Sequence, residues 1–334
     1  MVPERTVGRL IMRSERRWDV LTLGETLALL RPCEIGALRH VHELRLSVGG
    51  SESNVAVGVA RLGGRAAWVG RVGDDELGAR VLREIRGEGV DVHAVVDPEA
   101  PTALMIKEQR NSQQTKVSYY RRDSAGSRLQ SGDLPPGAVA DATVLHLSGI
   151  TPGLSATARA LVEEAGGAAR DAGTLVSLDL NYREALWSAK EFGAAMRELL
   201  PGVDLVFGSP HEVEHVLGGR AGPPQEQLEA LAAFGPAEAV LKLGADGAVV
   251  LVDGVLHERR AVEVRVVDTV GAGDAFVAGW LADLVNRPED VAGRLSTAIA
   301  CGAYACTVPG DWEGAPTRGD VESLLRPSDD EVQR

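Results

Sequence analysis

Short apolar runs alternate along the chain with longer stretches whose apolar positions recur every three to four residues. Residues 18–23 form the first run and stop at Gly24. Residues 53–62 carry small and apolar side chains on one face, with Gly63-Gly64 as a stop, which predicts a helix. A strand is expected at 66–69, then a helix capped by Asp74 and running to about residue 86. Strands follow at 144–147, 175–178, 203–207 and 239–242, with helices between them started by Ser155 and Ser188. This alternation predicts an α/β fold with a mainly parallel sheet covered on both faces. Two stretches, 34–48 and 103–120, break the rhythm. Alternation such as Val41, Glu43, Arg45, Ser47 and Lys116, Ser118, Tyr120 marks them as strands, and no crossover helix follows. They are expected as antiparallel strands of a small second sheet, inserted at about 32–48 and 102–121. That sheet is either a lid over a site or a surface excursion, and exposed strand edges of this kind suggest a homo-oligomer.

Composition narrows the function. The 334 residues are 44% hydrophobic and 25% charged, as in globular proteins of one large domain or two modest ones. A net charge of −13 argues against nucleic acid, which needs a basic surface, but allows an anion site built from backbone N–H groups. Cys33, Cys301 and Cys306 form no Cys-x-x-Cys pair, so apolar filler in a reducing cytoplasm is expected, not a disulfide framework or zinc site. No run reaches the length of a membrane span, and the arginine-bearing start lacks the apolar segment of a secretory signal. Residues 1–17 read as a disordered extension, 18–325 as the folded domain and 326–334 as a disordered tail.

The chemistry concentrates in Asp268-Thr-Val-Gly-Ala-Gly-Asp274, where a helix is expected to begin near Ala272. Gly271 and Gly273 let the backbone turn sharply and approach a ligand. Free N–H groups at a helix start bind anions, which is what phosphoryl transfer requires. Asp274, one turn inside, can accept a proton from an attacking hydroxyl. By themselves these residues are equally a tight strand-to-helix turn with an acidic first turn.

Asp268-Thr-Val-Gly-Ala-Gly-Asp274 resembles the C-terminal signature of the ribokinase-like (PfkB) carbohydrate kinases. Val48-Gly-Gly-Ser-Glu-Ser-Asn54-Val-Ala-Val-Gly-Val-Ala-Arg61-Leu-Gly63 resembles their N-terminal signature, in the expected order. The resemblance implies a three-layer ribokinase-like domain with a small β lid, and ATP and Mg2+ as requirements. It implies Asp274 as base and Gly271, Ala272 and Gly273 as anion hole. Asp268 would hold a monovalent cation such as K+, or the turn itself. Lys242-Leu-Gly244-Ala-Asp-Gly247 resembles the nucleotide-binding loop, although its residues alone fit a hairpin turn. Ser209-Pro-His-Glu212 stands where the family has Asn-x-x-Glu. Glu212 would arrange magnesium and its waters, while Ser209 departs from the pattern.

Four segments resemble the 2-keto-3-deoxygluconate kinases in particular: Tyr119-Tyr-Arg121-Arg-Asp-Ser-Ala-Gly-Ser127, His146-Leu-Ser-Gly-Ile150-Thr-Pro152, Leu178-Asp179-Leu-Asn181-Tyr-Arg183 and Gly310-Asp311-Trp-Glu-Gly-Ala-Pro316. The implied substrate is a sugar acid, and the guanidinium groups of Arg121 and Arg183 suit its carboxylate. Tyr119 would add a hydroxyl contact, Gly50 and Asn54 would contact sugar hydroxyls, the Ile150 backbone would line the pocket, and Asp311 would accept from a hydroxyl near the phosphorylated end. Met105 stands where these enzymes often carry a tyrosine. Glu25-Thr26-Leu27 replaces the aspartate used by ribose kinases, which counts against ribose and adenosine. A fructokinase of the same fold, or a non-catalytic sugar-binding protein, are the alternatives.

Overall fold

Runs that are apolar at nearly every position become inner strands, because a parallel strand covered by helices has no polar face. The computed structural model describes residues 16–110 and 115–326. Its strands are β1 (Trp18–Leu23), β2 (Leu27–Pro32), β3 (Leu44–Gly49), β4 (Ala66–Gly73), β5 (Asp91–Asp97), β6 (Leu104–Gln109) and β7 (Thr115–Tyr120). They continue as β8 (Ala142–Ser148), β9 (Leu175–Asp179), β10 (Leu205–Gly208), β11 (Glu238–Lys242), β12 (Ala248–Val252) and β13 (Val255–Arg259). One sheet has the order β13-β12-β11-β10-β9-β8-β1-β4-β5. It is parallel from β11 to β5, and β12 and β13 join antiparallel at one edge. A second sheet has the order β3-β2-β6-β7.

The second sheet departs from expectation in two ways. Strand β2 carries Leu27-Ala-Leu-Leu30, an apolar run without alternation, and supplies an inner strand that the polar–apolar pattern did not mark. The pair β2–β6 is parallel, and only β2–β3 and β6–β7 are antiparallel. The two inner strands come from separate excursions, so no tight turn forces them antiparallel. Residues 38–40 form a 3-10 turn instead of the strand expected from 34 onward.

Helix starts follow local chemistry. Ser155 and Ser188 cap Ala156–Ala172 and Ala189–Leu199 as expected. Asp75, not Asp74, caps Glu76–Gly87, because its carboxylate is the one that accepts from the Gly78 N–H, at 2.7 Å. Helix Ser51–Arg61 begins two residues earlier than its apolar face suggested. The expected end segments lie largely outside the described residues. At the boundary, Arg16 donates to the Ala172 carbonyl at 2.9 Å and Arg17 pairs with Asp91 at 2.8 Å, so both belong to the folded part.

The helix Ala272–Asn286 is apolar on nearly all sides and buried, as a helix inside a layered core must be. It runs against Ser51–Arg61. A Cβ at Gly58 would lie 2.5 Å from the Ala278 Cβ, so this glycine allows the close approach. The start of each helix is thereby brought to the other. No helix among the described residues is long and apolar enough to cross a membrane. The three cysteines are free thiols, and Cys301 is buried among the small side chains of the core.

Candidate active site

In open parallel sheets, ligands bind beyond the carboxyl ends of the strands. One cavity lies there. Glu25 lines it after β1, Ile150 after β8 and Arg183 after β9, with Met105, Lys107 and Tyr119 contributed by the second sheet. Gly50, Asn54, Arg121, Gly271, Asp274 and Asp311 complete its wall. Every residue expected to touch the sugar therefore faces one space. Ser209, Lys242, Gly244, Gly247 and Glu212 lie outside it.

The turn before Ala272–Asn286 is built around Gly271, at φ 78° and ψ −10°. A Cβ there would also fall 1.7 Å from the Asp311 carbonyl oxygen, so both conformation and space require glycine. No side chain caps this helix, leaving its first N–H groups available to an anion. Asp274 is half-buried just inside. Its Oδ1 accepts from Ser51 Oγ and its Oδ2 from Asn54 Nδ2, both at 2.8 Å. Ser51 Oγ in turn accepts from Asn181 Nδ2 at 2.6 Å. Asn181 adopts φ 40°, a left-handed conformation that asparagine tolerates better than most residues. Burial raises the Asp274 pKa, the hydrogen bonds from Asn54 and Ser51 oppose that rise, and the nearby Arg183 adds to the opposition. The carboxylate is thus fixed in orientation and made a stronger base than a free aspartate.

The two arginines have different surroundings. Arg121 donates to Glu25 Oε2 through Nε at 2.8 Å and also through Nη2. Glu25 is buried and accepts from Ser124 Oγ at 3.0 Å. Glu25 therefore already occupies one edge of Arg121, which still lines the cavity. Arg183 donates to the Tyr182 carbonyl at 3.3 Å, and no carboxylate lies within ion-pair distance of it among the described residues. Arg183 is the cation left for an organic anion.

On the far side of the Gly271 turn, Lys242 Nζ donates to both oxygens of Asp179 at 2.7 Å. It sits 3.6 Å from where a Cβ of Gly273 would be. Burial would lower the Lys242 pKa, but Asp179, then Glu212 and Asp274, hold the ammonium above its ordinary value. Lys242 ends β11, and Gly244 and Gly247 turn the chain into β12 at φ 61° and 102°. Ser209 caps Pro210–Val216 in a reciprocal box: Glu212 Oε2 accepts from the Ser209 N–H at 2.7 Å. Glu212 Oε1 accepts from the Tyr182 N–H at 2.9 Å. Each Glu212 oxygen already holds a main-chain N–H, so only remaining lone pairs or a bridging water would be open to a metal ion. No cluster of three or more His, Cys, Asp or Glu side chains suited to a metal occurs among the described residues. That donor set fits Mg2+, which keeps waters and takes phosphate oxygens, and does not form a full protein cage. At Asp268 a monovalent cation fits less well, because Oδ2 accepts from the Lys107 ammonium and Oδ1 from the Val270 N–H at 3.2 Å.

Glu52, Asp179, Asn181, Ser51 and Lys107 were not among the expected site residues, although four of them stand inside segments that carried the resemblance. Glu52 is 1% exposed and accepts from Ser148 Oγ and Thr151 Oγ1, both at 2.6 Å. Burial pushes it up to about 7 from 4.5, against the pull of those two hydroxyls. With the folded value above the unfolded one, the stability Glu52 contributes is full below about 4.5 and lost as pH rises through about 7. Glu52→Gln keeps an oxygen for both hydroxyls but cannot ionise. Its urea midpoint should fall less than the wild type's between those two pH values, and parallel profiles would refute the assignment.

Residues 18–318 match the family model described as pfkB family carbohydrate kinase. A 2-dehydro-3-deoxygluconokinase of Thermoproteus tenax is 36% identical over 320 residues, covering 94% of this chain and 96% of that protein. A 2-dehydro-3-deoxygalactonokinase of Haloferax volcanii is 35% identical over 317 residues, covering 95% and 99%. An Escherichia coli fructokinase is 34% identical over 283 residues, covering 82% and 91%. The crystal structure of a 2-dehydro-3-deoxygluconokinase from Thermotoga maritima superposes with a TM-score of 0.85 at 26% identity, covering 91% of this chain and 98% of that one.

Proposed function

The chain belongs to the pfkB family of carbohydrate kinases, and from that premise we propose that it phosphorylates 2-keto-3-deoxygluconate at the C6 hydroxyl. It has the ribokinase-like fold and is a phosphotransferase that acts on an alcohol. The sugar acid is favoured by one observation above others. Arg183 borders the same cavity as Asp274, and among the described residues no carboxylate pairs with it. A carboxylate brought to Arg183 supplies the missing anion, and two relatives at 35% and 36% identity act on keto-deoxy sugar acids by their names.

The residues divide the work as follows. Arg183 anchors the carboxylate, Tyr119 and Asn54 border the sugar, and the C6 hydroxyl points at Asp274. Asp274 takes the hydroxyl proton as the sugar oxygen bonds to the γ-phosphorus. The bond from that phosphorus to the β–γ bridging oxygen breaks, and ADP leaves. The N–H groups after Gly271 and the Lys242 ammonium face the charge that develops on the transferred group. Mg2+, when bound, offsets phosphate charge, with Glu212 and Asp179 as the acids that would hold its waters. The second sheet covers the reacting atoms and excludes water, which limits idle ATP hydrolysis. Met105 fills its wall with an adaptable apolar side chain where a tyrosine would add a hydroxyl.

A coupled ADP-release assay across keto-deoxy sugar acids and neutral hexoses tests the proposal. The expected result is turnover with 2-keto-3-deoxygluconate well above that with fructose or glucose. Preference for fructose would make this chain a fructokinase, and sugar binding without ADP release would make it a binding protein.

A further inference from the structure

Strand β6 places a lysine where an apolar lid residue would be expected. Lys107 is 6% exposed, lines the sugar cavity and donates its ammonium to Asp268 Oδ2. Asp268 opens the segment that ends in Asp274. Its Oδ1 accepts from the Val270 N–H at 3.2 Å, and its Oδ2 also accepts from the Gly310 N–H at 3.3 Å. One carboxylate thus ties the backbone just before Gly271 to the backbone just before Asp311. Those are the two strands of chain that meet at the Gly271 turn. Asp311 also faces Lys107, and Asp274 and Glu313 lie beyond it. Without a cation, four carboxylates would crowd this corner. Lys107 is the cation the chain supplies.

We propose that Lys107 is a built-in cation for Asp268, a positioning residue that does at this turn what a bound alkali-metal ion would do, so that turnover needs no added potassium. The inference rests on reading the segment from Asp268 to Asp274 as the phosphate-handling turn. An ammonium on a fixed strand holds one geometry, whereas an exchangeable ion binds and leaves with its concentration. Its cost is a buried charge, which the ion pair and the cavity wall must offset.

The test compares wild type and Lys107→Met in buffers whose monovalent cation is tetramethylammonium, potassium, ammonium or methylammonium. Wild type should show the same ADP release in all four. Lys107→Met should lose about a hundredfold in kcat in tetramethylammonium. It should regain activity with potassium, ammonium or methylammonium, while its KM for sugar changes much less. Lys107→Arg should retain most of the activity. The thermal midpoint gives a readout that needs no turnover: small cations should raise it in Lys107→Met and leave wild type unchanged. Failure of the kinase reading would silence the activity arm in every salt but leave this shift intact. Potassium stimulation of wild type would overturn the proposal. So would a Lys107→Met variant that is fully active without small cations, or one whose midpoint and activity ignore them all.

Discussion

Replacing Asp274 with asparagine should lower kcat by about 10²–10⁴-fold while sugar and ATP still bind. The site explains both halves of that expectation. Asp274 is the one carboxylate that lines the cavity just inside the helix N-terminus after Gly271. It is held from two sides by Ser51 and Asn54. An asparagine keeps the volume but cannot take a proton, and its amide would present hydrogens to a neighbour that is itself a donor. Arg183, Tyr119 and the helix N-terminus are untouched, so binding survives. Equilibrium binding beside single-turnover phosphorylation separates the two effects. Near-normal turnover in Asp274→Asn would remove the base from Asp274 and with it the proposed chemistry.

The second large effect is on stability. Arg121→Ala should destabilise the fold by about 3–5 kcal/mol, because it leaves Glu25 as an uncompensated buried charge. Arg183→Ala should change stability by less than about 0.5 kcal/mol, since no ion pair among the described residues depends on it. Urea unfolding of the two variants compares them directly. Adding Glu25→Gln to Arg121→Met should recover most of the loss, as removing both charges of a buried pair often costs little. Equal stability of the two single variants would show that Glu25 is not held by Arg121. The comparison also separates the two roles proposed for them: Arg121 shaping the wall through Glu25, and Arg183 meeting the substrate.

The layered α/β order and the turn from Asp268 to Asp274 were legible in the sequence. Both depend on local signals: apolar runs between caps, and glycines just ahead of a helix start. What stayed hidden depends on distance along the chain. The partner of Arg121 is Glu25, ninety-six residues away, and nothing near either residue announces the pairing. The parallel pairing of β2 with β6 is hidden for the same reason. Strand β2 itself escaped because a run without alternation looks like a continuation of β1. Glu212 carries a local signal of its own. Ser209-Pro-His-Glu212 is a capping-box sequence, and in the fold it closes that box, whatever it adds toward magnesium. Lys107 carried no motif at all, and only the fold shows that its strand reaches Asp268.

The most direct measurement is the ratio of kcat/KM for 2-keto-3-deoxygluconate to that for fructose, in wild type and in Arg183→Ala. Wild type should favour the sugar acid strongly. The ratio should drop by about 10–150-fold in the variant, the value of one charged hydrogen bond, with fructose turnover little changed. A wild-type ratio below one, or a ratio that Arg183→Ala leaves where it was, would contradict the account.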